Sequence, residues 1–194
     1  MKRKMIIETE RLFLREILSE LGIPCVIAPP FYLGGVQALT RHFPGTFAFS
    51  KETIMACIEE YLENLDRFGF KRVVFFNDHG DGLHISATVE AIKNANRKLE
   101  LQAYWMEYEY ELKEHGFSGE EDYILKLTDM PFEEMFQISK MPEDALDVHA
   151  GAFEKATMRE IYTEAVRENA LIPNGYVGEP KGSQYIETKA NVEK

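Results

Sequence analysis

The chain has 194 residues, of which 45% are hydrophobic, and a chain of this length buries one substantial core. Its 33 acidic residues outnumber its 22 basic residues and give a formal net charge of -11, which argues against nucleic acid and anionic membranes as partners. There are only two cysteines, Cys25 and Cys57, and no apolar stretch approaches the ~20 residues of a membrane span. The apolar run at residues 5–7 is too short for a signal peptide, so we expect a cytoplasmic protein with two buried thiols.

The first part of the chain shows a helical pattern followed by an apolar run. Apolar residues between positions 12 and 21 recur at helical spacing, and Gly22 follows where a helix C-terminus favours glycine. Residues 23–28 are apolar and end at two prolines, which predicts a strand buried on both faces. A loop rich in glycine and aromatic residues then extends to about Thr46.

Helix and strand patterns alternate again after this loop. Ser50 is a favourable N-cap for a helix whose apolar stripe extends over residues 54–68. Residues 73–76 form an unbroken apolar run, which predicts a second strand. A helix is expected near residues 85–97, and the alternating residues 99–105 predict a third strand.

This alternation predicts an α/β fold. Strands joined through helices are parallel, so we expect a three-layer sandwich with a mostly parallel central sheet flanked by helices, and ligands at the carboxyl ends of the strands. The acidic and aromatic residues 107–142 predict a helical excursion over the sheet, and a further helix is expected at about residues 153–169. We expect residues 1–194 to form a single domain, with a loose tail after about residue 181.

The first candidate site follows the strand at residues 73–76. Asp78, His79 and Asp81 lie between that strand and the next helix, among glycines that let the backbone turn tightly. Imidazole nitrogen and carboxylate oxygen are common ligands of zinc and manganese. A metal site and a glycine-rich turn with a solvated histidine explain this segment equally well.

The second candidate site is the segment of residues 147–154. His149 lies just before the expected helix and Glu154 in about its first turn, so both can face one cleft. The helix dipole favours a carboxylate near a helix N-terminus, so the structural alternatives are a helix-end charge at Glu154 and a capping role for His149. Taken alone, this segment favours those alternatives.

Together the two segments resemble the creatininase family of metal-dependent amidohydrolases. In that family a strand ends in Asn-Gly-His, and a later segment reads His-Ala-Gly-x-x-Glu. Residues 77–81 of this chain read Asn-Asp-His-Gly-Asp, and residues 149–154 read His-Ala-Gly-Ala-Phe-Glu. The Phe-Pro-Gly-Thr turn at residues 43–46 and the Gly-Tyr-Val-Gly-Glu-Pro segment at residues 175–180 are similar to further family segments, in the same order.

The resemblance implies roles for the residues at matching positions. His79 resembles a metal ligand, and Asp81 stands where some members carry a ligand glutamate. Glu154 resembles the carboxylate of the second motif, which is a metal ligand or an acid/base group. His149 and Asp147 stand at positions that orient or protonate the substrate. The implied cofactor is a pair of divalent metal ions, zinc and/or manganese.

The chain departs from the family pattern near its N-terminus. Nothing matches the family's Glu-Gln-His segment, which supplies ligands to the metal centre, so we expect the chain to start just after it. Glu8 is the candidate metal ligand in place of the family's aspartate, with Glu10 as the alternative. Asp78 replaces a glycine, and Lys155 and Ala156 replace Thr-Ser, so we expect an altered pocket.

The resemblance implies a metal-dependent amidohydrolase that hydrolyses a C–N bond of a small cyclic amide or formamide with metal-activated water. Family substrates include cyclic amides such as creatinine, formamides, a peptide bond and a cyclic inosose-type diketone, and the sequence does not choose among them. The alternatives are a member that hydrolyses such a diketone, and a truncated non-catalytic relative that serves as a structural or oligomeric subunit. The resemblance also implies a homo-oligomer, a hexamer built from dimers, with a small-molecule substrate.

The remaining histidines and some aromatic residues carry weaker signals. His42 lies in the loop expected near the site, and the sequence supports equally a position that faces the site and one that faces solvent. His84 and His115 are predicted to be surface residues. Phe31 and Trp105 are candidates to line a flat pocket, although an aromatic residue on a strand more often belongs to the core.

Overall fold

The computed structural model describes residues 15, 18–31, 33–37, 40–77, 79–128, 151, 155–156, 158–159 and 164. The chain divides into two compact units, one formed by Met1–Arg41 and Phe47–Asp129 and the other by His42–Thr46 and Met130–Lys194. The helices and strands named below belong to the first unit. The single domain expected for residues 1–194 stays a prediction.

A parallel sheet forms the centre of the first unit. Its described strands, in sheet order, are β1 (Arg72–Phe76), β2 (Gln102–Tyr108) and β3 (Ile124–Leu127). The register places Phe75 of β1 opposite Trp105 of β2, and Trp105 opposite Ile124 of β3. This arrangement confirms the predicted α/β class with a parallel sheet.

One helix precedes β1, and one helix lies in each of the two connections between the strands. They are α1 (Lys51–Arg67), α2 (Gly82–Lys98) and α3 (Glu109–Glu114). The predicted start of α1 is confirmed, because the backbone N–H of Thr53 donates to the Ser50 hydroxyl at 3.2 Å. Within the described residues, no helix is long and apolar enough to cross a membrane.

The core of this unit lies between α1, α2 and the sheet. Its largest fully buried side chains include Ile54, Leu62, Ile85, Ile92, Leu101, Trp105 and Leu112. The indole of Trp105 is only 1% exposed and meets the ring of Phe117 edge-on, with 5.3 Å between the ring centroids. Trp105 is therefore a core residue and does not line a pocket.

The strand predicted at residues 23–28 is wrong. This segment has no strand hydrogen bonding, and the side chain of Val26 is 75% exposed. An apolar run forms a strand only where a neighbouring strand satisfies its backbone, and β1 pairs only with β2 in the part of the chain that the structure describes.

The prediction of two buried thiols is also wrong. Both cysteines are free, but Cys25 is exposed and Cys57 is half-buried.

The stretch predicted as a helical excursion contains a short helix and also a strand. α3 begins directly after β2, which agrees with the prediction, but residues 124–127 form β3. This strand has only four residues, and only Ile124 among them is buried, so it lacks the alternation that marks a strand in the sequence. Residues 129–142 lie outside the described residues.

The C-terminal end of the first predicted helix is confirmed. Residues 18–20 are helical, and Gly22 adopts a φ of 68°. The backbone N–H of Ile23 donates to the carbonyl of Leu18 at 2.8 Å, and that of Gly22 donates to Ser19 at 3.0 Å. These two bonds form a Schellman motif, in which a left-handed glycine ends the helix.

Only short pieces of the second unit are described. The turn at residues 43–46 is closed by a bond from the Thr46 N–H to the Phe43 carbonyl at 3.0 Å, and Gly45 has a φ of 84°. Residues 155–156 and 158–159 are helical, as predicted for them. The rest of the helix predicted at residues 153–169 is largely outside the described residues, and so is the tail after residue 181.

Candidate functional site

His79 lies at the carboxyl end of β1, where a parallel sheet commonly binds its ligands. The side-chain amide of Asn77 donates to the His79 carbonyl at 3.0 Å and fixes the loop that follows the strand. The Nε2 atom of His79 lies 2.8 Å from the Gly35 carbonyl, which only accepts, so Nε2 carries the proton. In the neutral ring, Nδ1 is then the nitrogen with the lone pair.

His84 shares this environment, so the prediction that it is a surface residue is wrong. The backbone N–H of Gly35 donates to its Nδ1 atom at 3.3 Å, and the rings of His79 and His84 have centroids 5.2 Å apart. The sequence gives only a weak indication of this position. His84 is close to His79 along the chain, but it lies in the first turn of α2, where a histidine is usually exposed to solvent. Only the approach of the Gly35 loop reveals that both imidazoles meet the same backbone.

Gly35 makes this approach possible. A Cβ atom at this position would clash with Leu83 and would lie 2.9 Å from Cδ1 of Ile54. The absence of a side chain therefore brings the backbone N–H and carbonyl of Gly35 into reach of the two rings.

Asp81 is the N-cap of α2 and also ties a second loop to it. One carboxylate oxygen accepts from the backbone N–H of Leu83 at 3.0 Å, and the other accepts from the N–H of Gln37 at 2.8 Å. Each carboxylate oxygen has a second lone pair, so capping does not remove its capacity as a ligand.

The chemistry of His79 and Asp81 fits a divalent ion. A histidine that ligates a metal usually donates its other ring N–H to a carboxylate or a backbone carbonyl, and His79 makes such a bond. Among the described residues, no group of three histidine, cysteine or carboxylate donors includes His79 or Asp81. The remaining predicted ligands, Glu8 and Glu154, lie outside the described residues, as do Asp147 and His149.

A cleft of about 670 Å³ adjoins the two histidines. Its walls are mostly apolar and include Phe31, and its polar lining includes Asn77, His79 and His84. This size and composition are typical of small-molecule sites, where a few polar groups orient the ligand within an apolar pocket. Phe31 thus lines a pocket, whereas His42, in the other unit, is exposed and contacts Phe43 edge-on.

Glu107 is a charged residue in the core that the sequence reading did not single out. It lies near the carboxyl end of β2, its side chain is only 4% exposed, and one carboxylate oxygen accepts from the Tyr108 N–H at 3.0 Å. The signal was present, because Ala103, Trp105 and Glu107 alternate on the buried face of the strand. An acid on that face near the end of a parallel strand lies where such sheets commonly bind ligands, which makes Glu107 a candidate site residue.

A second group of metal-ligating side chains lies at α3. Glu111, Glu114 and His115 each offer one ligand atom, and these atoms lie within 4.8 Å of one another. The side chain of His115 is 19% exposed and its Nε2 atom is buried, so the prediction that it is a surface residue is wrong.

The sequence was compared with models of known protein families and with curated proteins. The sequence model of the family described as creatinine amidohydrolase matches residues 4–192. A search of the curated proteins finds no match.

Solved structures of creatininases share the fold. A crystal structure of creatinine amidohydrolase (creatininase) aligns with a TM-score of 0.56 at 18% identity, over 91% of this chain and 71% of the other. A manganese form of creatininase aligns with a TM-score of 0.54 at 18% identity, over 91% and 75% of the two chains. A creatininase mutant of Zn-Zn type gives 0.53 at 18% identity, over 91% and 72%. At these identities the likeness shows the fold.

Proposed function

The chain belongs to the creatininase family, and we propose that it is a metal-dependent amidohydrolase that hydrolyses a C–N bond of a small cyclic amide or formamide. The observation that carries this proposal is the setting of His79. Its ring lies at the carboxyl end of β1, its tautomer is fixed by a backbone carbonyl, and it lines a cleft of ligand size.

The proposed ligands come from the two motifs and from the N-terminal region. The pair of divalent ions, zinc and/or manganese, would be held by His79, Asp81, Glu154 and Glu8. Such a centre would supply a hydrolytic nucleophile at neutral pH and would polarise an amide carbonyl. Family membership supports this metal dependence, and the donor chemistry of His79 and Asp81 agrees with it.

Protein side chains carry the proton transfers in this proposal. His149 or Glu154 passes a proton to the leaving nitrogen, and Asp147 orients the group that does so. The Gly35 carbonyl keeps the His79 ring in one tautomer, and the apolar walls of the cleft give the substrate a largely apolar surface to pack against.

Family membership also supports further proposals about the setting of the enzyme. We expect a homo-oligomer, a hexamer built from dimers, that acts in the cytoplasm on a small molecule. Sedimentation velocity of the purified chain tests the assembly, and a monomer at all concentrations contradicts it.

The function is tested with His79→Ala. The purified chain, supplied with zinc or manganese, is assayed against creatinine and a panel of small cyclic amides and formamides. We expect hydrolysis that falls by about 100-fold or more in His79→Ala, because loss of a ligand exceeds the 10–100-fold effect of an outer-shell change.

The matched control is Glu100→Gln, which alters an exposed ion pair with Lys71 and should keep full activity. Equal hydrolysis by the wild type and His79→Ala contradicts the assignment of His79. If the wild type hydrolyses no amide of the panel, the amidohydrolase proposal itself fails.

A further inference from the structure

We propose that Glu111, Glu114 and His115 form a separate divalent-cation site, the α3 site, which binds one ion of the zinc type. This site is distinct from the one proposed around His79 and Asp81. It goes beyond the proposed function, and it does not depend on the activity of the chain.

The backbone places the three side chains together. Glu111 and His115 are four residues apart, and Glu111 and Glu114 are three apart, so all three project from one side of the last turn of α3. The backbone N–H of His115 donates to the Glu111 carbonyl at 3.1 Å, which closes that turn. The position of the ligands relative to one another is therefore set by the helix.

The spacing of the side-chain atoms suits a shared ion better than a direct bond. The Nε2 atom of His115 and an oxygen of Glu111 are 3.7 Å apart, which is longer than a hydrogen bond. Two ligands of a tetrahedral zinc ion, at the usual bond lengths, lie about 3.3 Å apart. A small closing movement of flexible side chains around an ion would remove the difference.

The burial of His115 supplies an independent observation. Its Nε2 atom is inaccessible to water and forms no hydrogen bond with the part of the chain that the structure describes, since the nearest Glu111 oxygen is 3.7 Å away. A buried polar atom without a partner destabilises the fold, and such atoms in native proteins are commonly explained by a bound ion or water. Coordination of a cation would satisfy this nitrogen.

The surrounding charges favour a cation. The C-terminal end of a helix carries partial negative charge, and the α3 site adds two carboxylates there. The nearby lysines have other partners, since Lys113 pairs with Glu109 at 2.9 Å and Lys126 pairs with Glu120 at 3.1 Å. In the described part of the chain, the basic group nearest to Glu111 is His115, at 3.7 Å.

The α3 site lies against the loop that carries His79 and Asp81. A Cβ atom at Gly80 would lie 3.4 Å from an oxygen of Glu111, and one at Gly82 would lie 3.9 Å from Nδ1 of His115. The loop backbone at these two glycines therefore lies next to the α3 site. An ion held by the α3 site would therefore lie beside this loop.

The test is zinc binding by the full chain after removal of bound metal. Isothermal titration with Zn²⁺ should show a site that Glu111→Gln and His115→Gln each weaken by about tenfold or more. Glu109→Gln, on the same helix, is the matched control and should keep this site. His79→Ala should also keep it, which separates the α3 site from the proposed catalytic metal.

A second measurement does not depend on the variants. With ¹⁵N-labelled wild-type protein, the imidazole Nε2 signal of His115, assigned with His115→Gln, should shift on addition of one equivalent of Zn²⁺. The proposal is overturned if the signal stays unchanged at saturating Zn²⁺, or if folded Glu111→Gln and His115→Gln bind zinc as the wild type does. Neither outcome bears on amide hydrolysis, which His79→Ala tests separately.

Discussion

At the scale of single residues, the backbone of Gly35 organises the candidate site. Its carbonyl accepts from His79 and its N–H donates to His84, so one peptide segment orients two imidazoles. This is possible because no side chain separates Gly35 from Leu83 and Ile54. The chemistry of the histidines thus depends on a residue that has no reactive group.

Gly35→Ala should lower the free energy of unfolding by about 1–3 kcal/mol, because the new methyl group must displace Leu83 and Ile54. Urea denaturation, followed by the fluorescence of the single tryptophan, Trp105, measures this change. The matched control is Gly80→Ala, whose methyl group would meet Glu111 oxygens at an ordinary 3.4 Å. Equal stability of the two variants would show that the backbone at Gly35 has more room than the structure describes.

Asp81 has two roles that different substitutions separate. Asp81→Asn keeps an N-cap and loses the bond from the Gln37 N–H, so we expect about 1 kcal/mol less stability, whereas Asp81→Ala loses both bonds and about 2 kcal/mol. Both variants should lose bound metal to a similar extent, as measured by elemental analysis. Full metal content in both would mean that Asp81 is a cap and not a ligand.

The sequence predicted some site residues and missed others for a physical reason. His79 and Asp81 are predicted because a strand that ends in a glycine-rich turn is a local pattern, and their roles as ligands stay predictions. His84 and His115 were missed, because each is half-buried through contacts with residues far along the chain, Gly35 for His84 and Gly82 for His115, that local spacing does not encode. The roles of Glu8, Asp147, His149 and Glu154 stay predictions.

At the scale of the elements, the turn before β3 is held by one carboxylate. Glu121 accepts from the backbone N–H groups of Ser118 and Gly119, at 3.1 and 2.8 Å. Burial raises the pKa of the Glu121 carboxyl, but these hydrogen bonds lower it by more, so its pKa lies below the usual 4.5. The carboxylate form of Glu121 thus stabilises the turn that precedes β3.

A group whose pKa is lowered by folding stabilises the fold above its unfolded pKa, and this contribution is lost as the pH falls through the folded pKa. Glu121→Gln should therefore have a lower urea midpoint than the wild type at pH 7. The difference should shrink as the pH falls below 4.5, which urea titrations at several pH values measure. A difference that is constant from pH 7 to pH 3 would contradict this role of the charge.

Periodicity predicted the elements that form the body of the sheet and its helices. α1, α2 and the strands β1 and β2 all follow from apolar spacing and from caps such as Ser50. β3 was missed because four residues carry too little pattern, and residues 23–28 were wrongly assigned because an apolar run does not reveal whether a pairing strand is available. Local propensity therefore predicts where a strand can form, and pairing decides whether it does.

At the scale of the whole molecule, family membership and the parallel sheet both support a site at the carboxyl ends of the strands. The carboxyl ends of β1 and β2 carry His79, Asp81 and Glu107, where parallel α/β proteins place their ligands. The fold class was predictable because alternating helices and strands allow few arrangements. We propose on this basis that the chain hydrolyses an amide with the help of divalent metal.

The most direct test is the rate of amide hydrolysis by the wild-type chain before and after removal of metal. We expect hydrolysis of at least one small cyclic amide or formamide, its loss after treatment with a chelator, and its recovery when Zn²⁺ or Mn²⁺ is added back. A rate that survives complete removal of metal, or a fully metallated chain that hydrolyses none of these amides, would contradict the account.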